Sequence, residues 1–282
     1  TFASGVQNLY IDGKLDTTNT SAGTSVFSSN RDVMIGRANQ TVSSGLMKGA
    51  IDNIRIYNYV RTPAQMAWEY NRGGPLAWYK FDEALGVSAY DSGSTGINGT
   101  LGTGSSAPTW TTSGQINGAL DFDGLNDYVT VTDSDNLDIG TSAPGSVSAW
   151  YYSTDTGTGV RMIAAKRSSE SSSNTDYNIF ISGGQLIWGI GSSADSCSWT
   201  AIDEPSRNTW HHVVGTLEST GAQTGTSKLY VDGVLKSSCS YAIKAAAHSS
   251  PLTIGKGFGN IGFWSGKIDD VRLFKYALTP AQ

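Results

Sequence analysis

The sequence predicts an all-β protein, a sandwich of two antiparallel sheets. It is present as one complete copy preceded by the back part of another. Three observations predict this. The first is composition: 34 of 282 residues are Gly, only 5 are Glu, and charged residues make up 15%. Gly, Ser, Thr and Asn are poor helix formers, for entropic and hydrogen-bonding reasons. Tyr, Trp, Val, Ile and Thr suit a pleated, half-buried surface. The second is the dense succession of short strand-like runs separated by turn clusters. The third is an internal repeat.

Along the chain, strands are expected at Leu76–Phe81, Ala119–Phe122, Tyr128–Thr132, Ser146–Tyr152, Met162–Lys166 and Tyr177–Ser182. They continue at Gln185–Gly191, His211–Leu217, Ser227–Val231, Leu252–Ile254 and Ile268–Phe274. Ser182-Gly183-Gly184-Gln185 and Val231-Asp232-Gly233-Val234 read as hairpin turns, because Gly-Gly and Asp-Gly tolerate positive φ. One short helix is expected from Thr62 to Tyr70, with Thr62 as cap and Pro63 in its first turn.

The repeat is specific. Leu9-Tyr10-Ile11-Asp12-Gly13 returns as Leu229-Tyr230-Val231-Asp232-Gly233. Ile51-Asp52-Asn53-Ile54-Arg55-Ile56-Tyr57 returns as Ile268-Asp269-Asp270-Val271-Arg272-Leu273-Phe274, and Thr62-Pro63-Ala64-Gln65 as Thr279-Pro280-Ala281-Gln282. The offset drifts only from 220 at Leu9 to 217 at Ile51, as loop-length changes in a duplication produce. Residues 1–70 therefore form the C-terminal part of one unit, 71–75 a Gly/Pro hinge, and 76–282 a complete unit.

The net charge of −5, without a basic block, excludes an electrostatic nucleic-acid footprint. No apolar run is long enough to span a membrane as a helix. Low charge and abundant Ser and Thr point outside the cell. The chain opens on Thr1 without Met or a leader-like segment, so a processed or excised segment is expected. Cys197 and Cys239 permit one disulfide or two buried thiols, and lack metal-binding spacing.

The ordered motifs Gly118-Ala119-Leu120-Asp121-Phe122-Asp123-Gly124, Ser146-Val147-Ser148-Ala149-Trp150, Trp210-His211-His212-Val213-Val214, Lys228-Leu229-Tyr230-Val231-Asp232-Gly233 and Ile268-Asp269-Asp270-Val271-Arg272-Leu273 resemble the laminin-G-like, concanavalin A-like lectin/glucanase jelly-roll domains. The resemblance covers 76–282, and 1–65 as a truncated copy. It implies two stacked, curved sheets, with the first and last strands of the domain paired. It does not imply one function.

Catalysis has no carrier in this sequence. Jelly-roll glucanases set their carboxylates as Glu-x-Asp-x-Glu on one strand, and none of Glu69, Glu83, Glu170, Glu204 and Glu218 has such partners. Asp121 and Asp123 flank Phe122, a spacing expected to point both at solvent or a turn. His211, His212 and the lone His248 read as structural.

A structural calcium ion is the expected cofactor. The resemblance places Asp269 as a ligand at the start of the last strand, and antiparallel pairing brings Asp82 and Glu83 beside it. The following loop offers Asp91 and Asn98, oxygen donors of the kind calcium takes. Glycan contact is assigned to the aromatics Phe258, Phe263, Trp264 and Trp199, with Tyr151, Tyr152 and Trp188 as further candidates on the concave face. Trp78, Trp150 and Trp210 are assigned to the core. The leading expectation is an extracellular, non-catalytic module of a larger tandem-repeat protein. Its partner would be a glycan, a cell-surface or matrix protein, or neighbouring repeats. A structural spacer or filament subunit, and an accessory domain of a polysaccharide-degrading enzyme, are the alternatives.

Overall fold

A computed structural model describes all residues except 4, 12–13, 21–22, 24–32, 38–45, 62, 71–72, 140–143, 169–174, 192–198, 222–223, 243–248 and 280–282. The chain divides into two compact units, Thr1–Met66 and Ala67–Gln282.

The smaller unit holds β1 (Phe2–Ala3), β2 (Val6–Ile11) and β3 (Lys14–Asn19), paired antiparallel in that order. Residues 50–57, the repeat of the last strand, carry no strand pairing. Nevertheless Asn53 has φ +52°, close to the +55° of its counterpart Asp270. The two copies thus share this backbone kink, although no strand among the described residues pairs with 50–57. The helix α1 (Pro63–Tyr70) forms as expected.

The larger unit begins with the short strands β4 (Ala77–Tyr79), β5 (Ser88–Ala89), β6 (Gly99–Leu101) and β7 (Thr109–Thr111). Next come β8 (Ala119–Asp123), β9 (Val129–Val131), β10 (Gly145–Ser153), β11 (Arg161–Arg167), β12 (Thr175–Ser182) and β13 (Gln185–Ile190). It ends with β14 (Trp199–Asp203), β15 (Trp210–Gly221), β16 (Thr224–Val231), β17 (Val234–Ala242), β18 (Leu252–Ile254) and β19 (Ser265–Phe274). Every strand expected between 76 and 282 forms. The unexpected β5, β6 and β7 are only two or three residues long, too short to show apolar alternation.

Two antiparallel sheets stack. One runs β17-β16-β15-β10-β19-β8-β7, with β4 also on β19, and the other runs β14-β13-β12-β11-β18-β9-β6-β5. Both predicted hairpins close with two residues at positive φ: Gly183 and Gly184 between Ser182 and Gln185, Asp232 and Gly233 between Val231 and Val234. One continuous apolar core fills the space between the sheets, including Tyr79, Leu120, Tyr151, Ile179, Trp188 and Val271. Burying each large side chain stabilises the fold by ~1.5–3 kcal/mol. Gly215 lets Trp188 lie against the opposite sheet, since a Cβ there would stand 2.2 Å from its ring.

β19 is an interior strand of its sheet, paired along both edges. β10 follows one edge, while β8 takes the first half of the other and β4 the second half. Its register against β10 shifts between Ser148 and Trp150, and the extra residue there is Asp270. This bulge turns the neighbouring carboxylates toward different surroundings.

Candidate functional site

The expected pairing of the first and last strands holds, with Val271 opposite Tyr79 and Arg272 opposite Trp78. It carries Asp82 toward Asp269, whose carboxyl feels the Asp82 charge. Asp269 is fully buried, its Oδ2 accepts from the Ile116 amide at 2.8 Å, and its Oδ1 has no hydrogen-bond partner. Burial pushes its pKa up to about 7, with the Asp270 and Asp82 charges raising it further and the backbone amides of Ile116 and Gln115 lowering it. Asp82 holds the same loop from outside, accepting from the Gly118 amide at 2.8 Å. Gly118 is needed there because a Cβ would meet the Phe81 carbonyl at 2.7 Å.

The other two expected calcium ligands do not join them. Asp91 Oδ1 accepts from the amides of Trp78 (2.8 Å) and Gly93 (2.7 Å). Its Oδ2 accepts from the Thr95 hydroxyl and the Ile97 amide. Asn98 Oδ1 accepts from the Asp91 amide at 3.0 Å. An Asp followed by Ser-Gly folds its side chain onto nearby backbone donors, as turn aspartates do. Glu83 likewise accepts from the Tyr90 amide at 2.6 Å. Calcium takes about six to eight oxygens, and no group of three or more His, Cys, Asp or Glu side chains assembles among the described residues. Of the four expected calcium ligands, Asp269 and Asp82 both hold the 116–118 loop, whereas Asp91 and Asn98 bond to each other in another loop.

The aromatic candidates also separate. The Gly257 amide donates to the Ile261 carbonyl at 2.9 Å, closing a loop whose tip exposes Phe258 and Ile261. Phe263 is partly covered. Trp264 is fully buried and meets Tyr151 edge-on at 5.7 Å, so it is a core residue. The alternation of β19 extends back through Ile268 and Gly266 to Trp264, which places Trp264 on the inner face. The backbone of Trp199 lies in β14, and its side chain falls outside the described residues. Cys239 is disulfide-bonded, and Cys197, the chain's other cysteine, lies outside the described residues.

Tyr151 and Trp188 are core residues, whereas Trp78, Trp150 and Trp210, assigned to the core, are not. On β10, Val147, Ala149 and Tyr151 are the core side chains. Alternation sends Ser148, Trp150 and Tyr152 to the outer face. There Trp150 stacks on His212 with ring centroids 4.9 Å apart, and Tyr152 meets Trp210 at 5.7 Å. Lys267 Nζ lies 4.6 Å from the Tyr152 ring centre. Lys80 and Arg272 lie 4.2 and 4.5 Å from that of Trp78. Asp270 accepts from the Trp78 indole and pairs with Arg272. Burial, with the Arg272 charge, lowers the pKa of His212 and favours its neutral ring. The result is a half-exposed sheet face of aromatic rings interleaved with cations and carboxylates. Its signal in the sequence was the Asn53/Asp270 exchange between repeats, since these residue types tolerate the left-handed backbone of a bulge.

Asp123 caps the turn at Leu125 and Asn126, and Asp121 lies 3.9 Å from Lys267. Glu218 pairs with Lys228 at 2.6 Å. Burial opposes the Glu204 charge, but hydrogen bonds from Arg207 and Arg161 outweigh it and hold the carboxyl below its ordinary range. Lys166, fully buried, bridges Asp133, Asp138 and Asp176 at 2.8–3.1 Å.

The family model for the concanavalin A-like lectin/glucanases superfamily matches residues 1–67 and 122–282. Among solved structures, the chain is similar to domain 4 of AbnA, an extracellular arabinanase from Geobacillus stearothermophilus solved with arabinotriose. That match has 19% identity and TM-score 0.53, and covers 74% of this chain and 95% of that one. It is also similar to the binding domain of Paraclostridial Mosquitocidal Protein 1, at 13% identity and TM-score 0.55, covering 74% of this chain and 51% of that one. A third is the binding domain of botulinum neurotoxin DC, solved with rat synaptotagmin II. Here identity is 14% and TM-score 0.53, with 75% of this chain and 50% of that one covered. The chain thus spans about half the length of the toxin domains it resembles. At these identities the likeness shows the fold. No curated protein matches.

Proposed function

The chain belongs to the concanavalin A-like lectin/glucanase superfamily, and from that premise we propose that it is a non-catalytic module acting outside the cell, with carbohydrate as its ligand. The observation that carries this reading is the outer face of the β10/β15/β19 sheet. Trp150, Tyr152 and Trp210 offer ring surface for the C–H faces of a sugar, while Lys267, Asp121 and His212 offer hydrogen-bonding groups for its hydroxyls. Aromatic walls with a few placed polar groups are the usual make-up of a small-ligand site. The arabinotriose bound to AbnA domain 4 supports carbohydrate as the class to test first.

The test is a glycan array followed by calorimetry on the intact chain, including arabino-oligosaccharides. Trp150→Ala is expected to weaken binding at least ~tenfold, on the scale of a lost aromatic contact. Phe258→Ala is expected to leave it unchanged. Binding that survives Trp150→Ala and Tyr152→Ala, or no binding to any glycan, rejects the reading.

A second reading rests on the Phe258 and Ile261 tip, which with Val160 exposes three apolar side chains. Such a tip suits a protein partner better than a sugar. In that case Phe258→Ala is the variant that loses binding.

A further inference from the structure

The outer face of β4, β19, β10 and β15 gathers cations, in a chain whose net charge is −5. Three of them lie against its rings. Lys80 and Arg272 stand 4.2 and 4.5 Å from the centre of the Trp78 ring, and Lys267 stands 4.6 Å from that of Tyr152. Strand register fixes their places. Trp78 on β4 is opposite Arg272 on β19, and Arg272 is opposite Ser148 on β10. Further along β10, Tyr152 is opposite Lys267 on one side and Trp210 on the other. Trp150 lies midway between Ser148 and Tyr152. At about 3.3 Å per residue, the two cationic ends are roughly 13 Å apart along the strands. That is a span for a short oligosaccharide rather than a single ring.

The carboxylates nearby leave much of this charge open. Asp270 is buried, and it is committed to the Trp78 indole and to Arg272. A guanidinium has five N–H donors, and among the described residues Arg272 makes its one hydrogen bond to Asp270. Lys267 meets Asp121 only at 3.9 Å. Lys80 forms no ion pair among the described residues. Asp232, at the edge of the face, is held by the His211 ring and the His212 amide. With Lys80 and Arg272 over its ring, Trp78 offers a ligand charge rather than open ring surface.

Resting on the carbohydrate reading above, we propose that the sugar is acidic. It is an oligosaccharide whose carboxylate or sulfate groups meet Arg272 and Lys80 at one end of the face and Lys267 at the other, with its rings over Trp150. The planar fork of arginine matches either anionic group. Exposed lysines add selection by charge, which favours anionic partners over neutral ones.

The test is calorimetry on the intact chain at low salt with three probes: trigalacturonate, sulfated cellotriose and arabinotriose. At least one anionic probe is expected to bind roughly tenfold or more tighter than arabinotriose. The tighter of the two assigns the group, carboxylate or sulfate. Raising the ionic strength from about 0.05 to 0.3 M is expected to remove most of this preference, because exposed charges are screened. Lys80→Gln and Lys267→Gln are each expected to weaken the anionic probe about three- to fivefold, on the scale of an exposed ion pair, and arabinotriose by less. Lys256→Gln, just after β18 of the other sheet, is expected to change neither. Arabinotriose bound as tightly as the anionic probes overturns the inference. So does an anionic preference that survives Lys80→Gln and Lys267→Gln combined, and so does failure of both anionic probes to bind. If arabinotriose still binds in those cases and needs Trp150, the carbohydrate reading stands while the acidic one falls.

Discussion

Replacing Asp269 by asparagine removes a charge that the fold holds out of water. The carboxyl is fully buried, one oxygen is unpartnered, and its pKa rises from 3.8 to about 7. A carboxyl whose pKa is raised on folding binds its proton more tightly in the native state. Stability from this group is therefore greatest below pH 3.8 and falls as pH rises to about 7. The full span corresponds to roughly 4 kcal/mol, at ~1.4 kcal/mol per pH unit. The side-chain amide of Asp269→Asn cannot ionise, so this loss disappears. The amide oxygen still accepts from Ile116, but the amide nitrogen replaces an oxygen that has no partner, at a cost of about 1–3 kcal/mol. The variant is expected to be ~1–3 kcal/mol more stable at pH 8 and less stable than the parent near pH 4. The assay is urea unfolding from pH 4 to 8 in the presence of a chelator, followed by Trp fluorescence. All 8 tryptophans lie between residues 68 and 264, so the signal reports the larger unit alone. A stability difference that stays constant across this range would refute the reasoning. Repeating the series with millimolar calcium is expected to change nothing. If calcium flattens the parent's pH dependence, an ion closes on Asp269 with oxygens other than Asp91 and Asn98.

Gly215→Ala is expected to destabilise the larger unit by at least ~2 kcal/mol in the same unfolding assay, because the new methyl has no space beside Trp188. Lys166→Met leaves Asp133, Asp138 and Asp176 facing one another without their cation, and a loss of ~3–5 kcal/mol at pH 7 is expected. A Lys166→Met protein as stable as the parent would mean that the three carboxylates find other partners. Thiol titration in denaturant is expected to find no free thiol before reduction and both cysteines afterwards.

The course of the chain through the sandwich was legible where apolar residues alternate over five or more positions, as in Val147-Ser148-Ala149-Trp150-Tyr151. Trp150 was assigned to the core along with its apolar neighbours, but strict alternation with Val147, Ala149 and Tyr151 places it outside. Trp264 is the converse case. Its Gly-rich neighbours suggested exposure, although its phase with Gly266 and Ile268 is that of the inner face. Phase along a strand decides which face a side chain takes, because a strand offers only two directions. The expected calcium ligands divide between two loops for a different reason. Nearness in sequence to a shared strand end says nothing about which backbone amides reach a carboxylate first. The Asp91 carboxylate accepts from Trp78, Gly93, Thr95 and Ile97.

The longer strands of 76–282, both two-residue hairpins and the duplication were legible in the sequence. Each of these rests on contacts within a few residues or on residue-specific backbone preference. The tertiary structure decided whether those strands find neighbours. Ile54 and Val271 have nearly the same local sequence, yet one is exposed and the other buried. Burial depends on strands far along the chain, and no local pattern contains that information. The tertiary structure likewise gathered Trp78, Trp150, Trp210 and Arg272 from four separate strands onto one face. That face exists only because sheet order brings β4, β19, β10 and β15 side by side.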